Sequence, residues 1–117
     1  MGALTTHALD IAHGRPAGGM RVDFFRWEAE EYRPSKTLVT NHLGRTDEPL
    51  LDDTTMVTGR YQLLYHVGDY FATLGVVLPT PRFFDRVPVR FAIADPRADY
   101  HVPLLVAPWG YSSYRGT

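Results

Sequence analysis

The chain has 117 residues, 44 % of them hydrophobic and 13 % aromatic, enough to bury the core of one domain, expected over residues 1–117. Twelve Lys and Arg against thirteen Asp and Glu leave a net charge of −1, so no long-range attraction to nucleic acid or to an anionic membrane is expected. There is no cysteine, which excludes a disulfide framework and a thiolate zinc site and agrees with a cytoplasmic protein.

The start, Met1 to His7, has neither a basic beginning nor an apolar stretch and does not read as a signal peptide. No apolar run approaches the ~20 residues of a membrane span. Leu4 to Leu9 reads as a first strand. Arg15-Pro16-Ala17-Gly18-Gly19 is a turn cluster. Met20 to Trp27 alternates, with Met20, Val22 and Phe24 on one face and Arg21 and Asp23 on the other. Glu28, Glu30 and Glu31 read as its solvated end. Thr37 to Thr40 is a short β-branched strand that runs into a loop at Asn41-His42-Leu43-Gly44.

Arg60 to Val67 is rich in strand formers. A short helix follows over Gly68 to Gly75, with Asp69 as its expected N-cap and Gly75 just past its end. Pro79 and Pro81 forbid its continuation. Val87 to Ile93 alternates again. Val102 to Ala107 and Tyr111 to Arg115 form a hairpin across Pro108-Trp109-Gly110. Pro88 and Pro103 fall near strand starts, where a missing N–H is tolerated. Periodicity therefore predicts an all-β, two-sheet sandwich of seven to eight strands with one short helix.

Several chemistries find little support in the spacing. His7 and His13 stand six positions apart, about 20 Å along one extended strand and too far for one ion. Asp52-Asp53 is a lone acidic pair, no serine sits in a G-x-S-x-G elbow, and the glycines at 14, 18 and 19 do not make a phosphate loop. His13 and His42 read as exposed, His66 as a capping or packing residue, and Trp109 as core or interface packing. What remains is a dispersed polar set beside apolar strands: His7, Arg45, His101 and the closing Tyr114-Arg115-Gly116-Thr117.

Four blocks place that set in a context. They are Leu4-Thr5-Thr6-His7-Ala8-Leu9-Asp10 with Gly14-Arg15-Pro16-Ala17; Gly44-Arg45-Thr46-Asp47-Glu48-Pro49-Leu50-Leu51; Tyr65-His66-Val67-Gly68-Asp69-Tyr70-Phe71; and Tyr100-His101-Val102-Pro103-Leu104-Leu105 with Pro108-Trp109-Gly110 and the closing tetrapeptide. In these blocks the chain resembles the 5-hydroxyisourate hydrolases, the transthyretin-related enzymes of urate breakdown. The resemblance implies two four-stranded sheets and a homotetramer, a dimer of dimers with active sites at the dimer–dimer interface. It implies His7, Arg45 and His101 as catalytic residues, and contact with the small-molecule substrate by His7, Arg45, Tyr114, Arg115, Gly116 and Thr117. It implies neither cofactor nor metal. Which histidine is the general base stays open. Thr117 stands where the family ends on serine, keeping the hydroxyl and adding a methyl. The competing reading is a small-ligand carrier on the same fold, as transthyretin is.

Overall fold

The first strand, β1 (Leu4–Asp10), shows the alternation that builds the sandwich: Leu4, Thr6, Ala8 and Asp10 are buried, while Thr5, His7 and Leu9 lie half-buried on the opposite face. In the computed structural model, which describes residues 2–116, it is followed by β2 (Arg15–Pro16), β3 (Arg21–Glu28), β4 (Glu31–Val39) and β5 (Gly59–Tyr65). Helix α1 (Val67–Thr73) precedes β6 (Val87–Ile93), β7 (Tyr100–Ala107) and β8 (Gly110–Ser113). Two four-stranded sheets result, ordered β2-β1-β7-β8 and β4-β3-β5-β6. The expected architecture is the observed one. Between the sheets lie Leu4, Ala8, Val22, Phe24, Tyr61, Leu63, Tyr65, Leu104 and Val106, each at most 1 % exposed. Among the described residues, no helix is long and apolar enough to cross a membrane.

Pairing is antiparallel except at β1 and β7, which run parallel from Leu4↔Tyr100 to Asp10↔Val106. That exception joins the two ends of the described chain and sets Thr5 opposite His101 and His7 opposite Pro103.

Four local expectations need correction. β4 runs over nine residues rather than beginning at Thr37, and the stretch Glu28 to Glu31 holds a hairpin turn in which Ala29 (φ 51°) and Glu30 (φ 65°) are both left-handed, as a two-residue hairpin loop requires. Most of β4 is exposed, so no apolar alternation announced it, and Pro34 is carried beside a register shift on this edge strand. The helix N-cap position is His66, not Asp69, and no side chain caps it. Asp69 sits inside the first turn, where its charge suits the helix dipole, and takes the Arg82 guanidinium at 2.6 Å. Gly75 does follow the C-cap Leu74, at φ 81°.

The third correction concerns Pro103, which lies well inside β7. The β7–β8 ladder ends at Leu104↔Ser113, yet His101 pairs with Gly116 in the same register. The gap has a cause in the chain. Pro103 has no N–H to give Tyr114, and its carbonyl is taken by the Ser113 hydroxyl at 2.7 Å. Strand β8 therefore stops at Ser113 rather than reaching Arg115, and the chain returns to β7 only at Gly116, whose N–H donates to the His101 carbonyl at 2.6 Å. The fourth concerns only the core alternative for Trp109: the residue is 63 % exposed and lies 5.5 Å, ring to ring, from the exposed Phe83, which leaves the interface alternative.

Candidate active site

His7 and His101 share the outer face of the first sheet because parallel pairing aligns β1 and β7 and each histidine occupies an outward position of its strand. Their ring centroids are 6.4 Å apart. Arg45 joins them from a loop that runs along the free edge of β1. That loop is built locally. Asn41 accepts from the Leu43 and Arg45 N–H groups through its side chain, and the Asn41 N–H donates to the Arg45 carbonyl at 2.7 Å. The loop docks on β1 through Ala8 N–H donating to the Gly44 carbonyl at 2.8 Å and through a bridge between His7 and Arg45. Gly44 is required at this approach: its φ is +76°, and a Cβ there would run into the Ala8 carbonyl oxygen.

Each imidazole is held by one named partner. Nε2 of His7 lies 2.9 Å from the Leu43 carbonyl oxygen, and Nδ1 of His101 lies 2.7 Å from the Thr5 hydroxyl. Gly116 covers the other flank of His101. A Cβ at Gly116 would come within 2.9 Å of His101 Cδ2, so only glycine lets the backbone lie this close. Burial, then the Arg45 charge, lowers the pKa of His7, and the Leu43 hydrogen bond only partly opposes them. Burial, then Arg45, then His7 lower that of His101. Both imidazoles are thus neutral at pH 7, beside one fixed positive charge.

The remaining expected residues divide. Gly116 meets His101. Arg115 turns its guanidinium over the Tyr100 ring, 4.4 Å from the centroid, and donates to the Asp99 carbonyl at 3.2 Å. Tyr100 points to the core side of β7, so the Arg115 side chain stands apart from the histidines. Tyr114, 62 % exposed, lines with Arg115 a cavity of about 270 Å³ against Val89 and Phe91 of β6. Thr117 lies outside the described residues. His42 is exposed, His13 binds Asp10 at 2.6 Å, and His66 is buried against Asp23 at 2.8 Å. Among the described residues, no three His, Cys, Asp or Glu side chains converge as metal ligands would.

Sequence reasoning passed over Thr5, the Leu43 carbonyl and Gly44. Thr5 carried a usable signal, since it lies two residues from His7 and so on the same strand face. Its place beside His101 depends on a parallel pairing that no local pattern shows.

Both histidines are half-buried on the outer face of their sheet. A cleft of about 160 Å³ beside Arg45 is lined by Thr5 and Thr46 to Pro49, below the size of usual small-molecule sites. A larger cavity of about 460 Å³ lies between Ala72 and Asp85, by the helix, and contains none of these groups.

Fold and site together define a transthyretin-like sandwich that carries a His–Arg–His cluster on an open sheet face. Residues 4–116 match the family model for the HIUase/Transthyretin family, and the chain belongs to that family. The 5-hydroxyisourate hydrolase 2 of Rhizobium meliloti (strain 1021) is 51 % identical over 99 % of this chain and 97 % of its own length. The structure of Klebsiella pneumoniae 5-hydroxyisourate hydrolase is 37 % identical, with a TM-score of 0.79 over 98 % of this chain and 99 % of that one. An (S)-allantoin synthase structure is 39 % identical with a TM-score of 0.93, and this chain spans 44 % of that longer chain.

Proposed function

We propose that the protein hydrolyses 5-hydroxyisourate, opening a cyclic amide C–N bond of the six-membered ring to yield 2-oxo-4-hydroxy-4-carboxy-5-ureidoimidazoline. The observation that carries this reading is the pair of imidazoles, 6.4 Å apart, on a face shared with Arg45, whose charge with burial favours their neutral forms. Water is a weak nucleophile at neutral pH, and a neutral imidazole is a base suited to taking its proton. An arginine beside it holds substrate oxygens and the negative charge that gathers on the carbonyl oxygen during attack. His7, Arg45 and His101 are the catalytic set, and the segment after β8 meets it through Gly116, beside His101. The reaction consumes only water and calls on no cofactor.

The carrier alternative is weaker, because a channel that only holds an apolar ligand has no use for two imidazoles and a guanidinium. The full-length likeness to chains named as hydrolases supports the same choice.

The open face supports a homotetramer, a dimer of dimers in which a second copy roofs the site. The aromatic groups Phe83, Trp109, Tyr111 and Tyr114, each at least 42 % exposed, favour self-association as well. We take residues 1–117 as one domain, supported by the core that both sheets share. The cytoplasm suits a chain without cysteine.

The test is direct. Substrate is generated in situ from urate and urate oxidase, and its ultraviolet signal is followed with and without the protein. Decay no faster than the spontaneous rate ends the hydrolase reading. His7→Ala, Arg45→Ala and His101→Ala should each slow turnover by about 10²- to 10⁴-fold without loss of fold.

A further inference from the structure

Thr5 and Thr6 are neighbours on β1 with opposite duties. Thr6 faces the core, and its hydroxyl donates to the Val102 carbonyl at 2.7 Å and meets the Tyr65 hydroxyl at 2.7 Å. Thr5 faces outward, and among the described residues the only partner of its side chain is Nδ1 of His101. Parallel pairing of β1 with β7 sets these two residues side by side.

Hydrogen-bond chemistry then separates the two histidines. A carbonyl oxygen only accepts, so His7 must present Nε2–H to Leu43, which leaves the lone pair of its neutral ring on Nδ1. A threonine hydroxyl can give its one proton or accept another, and its partner here is His101 Nδ1. Giving it there leaves the His101 proton on Nε2, the ring nitrogen remote from Thr5. Gly116 lies on the opposite flank of the ring, on the Cδ2 side. A flipped ring would turn Cδ2 toward Thr5 and lose the bond.

We propose that Thr5 is a positioning residue for this hydrolysis: its hydroxyl donates to His101 Nδ1 and fixes the Nε2–H tautomer, so that His101 is the hydrogen-bond donor of the pair and His7 the base. The inference rests on the hydrolase reading and deepens it. The water oxygen bonds to the amide carbonyl carbon while its proton passes to His7 Nδ1. The carbonyl electron pair moves onto oxygen, where Arg45 and His101 Nε2–H stabilise it. When the oxygen's pair returns, the C–N bond breaks and its electrons go to nitrogen, which takes the proton from His7. The ring is open, His7 is neutral again, and the new carboxylic acid releases its own proton to solvent. His101 stays neutral throughout. Its role is that of an oriented donor, for which a neutral imidazole is sufficient.

Two measurements decide the matter. The first is ¹⁵N NMR of the histidine rings in the intact wild-type protein at pH 7. The expected result is His101 protonated on Nε2 with an unprotonated Nδ1; a proton on Nδ1 overturns the proposal whatever the protein's activity. The second compares Thr5→Val with Thr5→Ser in the urate-coupled assay. The valine variant keeps the shape and loses the hydroxyl. It should lose about tenfold to a hundredfold in kcat, the range seen when a partner that orients an imidazole is removed, with KM little changed. Serine should restore most of that loss. Wild-type kcat in Thr5→Val, alongside an active wild type, refutes the role of Thr5 and leaves the hydrolase reading standing. An inactive wild type refutes the hydrolase reading, and the ring NMR still judges the hydrogen bond.

Discussion

Replacement of Gly116 by alanine perturbs the site through a single methyl group. The new Cβ would stand 2.9 Å from His101 Cδ2 and 3.3 Å from both the Cβ and the carbonyl oxygen of His101. Ordinary carbon–carbon contacts begin near 3.5 Å, so a shift of about 0.6 Å is needed. The imidazole has little room to yield, because its far side is held by Thr5 at 2.7 Å. The backbone segment yields only by stretching the 2.6 Å bond from Gly116 N–H to the His101 carbonyl. Either response displaces the His101 ring or the segment beside it by a sizeable part of an ångström. Misplacement by about 1 Å costs roughly 10²-fold in rate, so a loss of about tenfold in kcat is expected. Stability should change little, since one strained hydrogen bond is worth about 1 kcal/mol, a shift of a few degrees in Tm at this size. Gly110→Ala is the control, because a Cβ at Gly110 meets nothing within 4 Å. The urate-coupled assay reads kcat and KM for both variants, and thermal denaturation reads Tm. Gly116→Ala with wild-type kcat and KM would refute the claim that this segment sets the position of His101.

Two further outcomes follow from the charges. Burial and Arg45 hold His7 and His101 below the ordinary value of 6.5, so the rate should rise with pH along a limb centred below pH 6.5; in Arg45→Gln the residual activity should show that limb moved to higher pH, and an unmoved limb would deny the Arg45 coupling. Asp10 is a buried acceptor for the N–H groups of Ala12 and His13, the His13 ring and the Tyr70 hydroxyl. Burial alone would raise its pKa, but the hydrogen bonds of Tyr70 and His13 outweigh that and hold it below the usual carboxylate range. Its stabilisation is therefore complete above about pH 4 and lost as pH falls through the lower folded-state value. Asp10→Ala should cost about 2–4 kcal/mol in urea denaturation at pH 7, by stranding the Tyr70 hydroxyl and two backbone donors; a variant as stable as wild type would contradict this.

Much of this was legible along the chain. The alternation in Leu4 to Leu9 and in Met20 to Trp27 marks strands because a half-buried strand must present apolar groups at every second position. Gly75 and the prolines after it mark where a helix ends. The blocks around His7, Arg45 and His101 name the catalytic candidates by residue type and order. The part of strand β4 before Thr37 stayed hidden because it lies at an edge with most side chains in water, where pairing rather than burial selects the conformation. Asp69 looked like a cap because cap chemistry is read from residue type, whereas the helix start is set by Val67 and Gly68 packing into the core.

By itself, then, the amino-acid sequence determined the fold class, the family and the side chains available for chemistry, since these follow from local periodicity and from residue identity. Only the tertiary structure decided how those side chains work together. Parallel pairing of β1 with β7 brings residues 5 and 7 beside residue 101, and that contact spans nearly the whole chain, so no window of sequence holds it. The same folding turns Arg115 toward Tyr100, opens the ladder at Pro103 and gives His7 and His101 different partners. Two identical imidazoles thereby acquire different neighbours: a carbonyl that only accepts beside His7, and a hydroxyl that both gives and accepts beside His101.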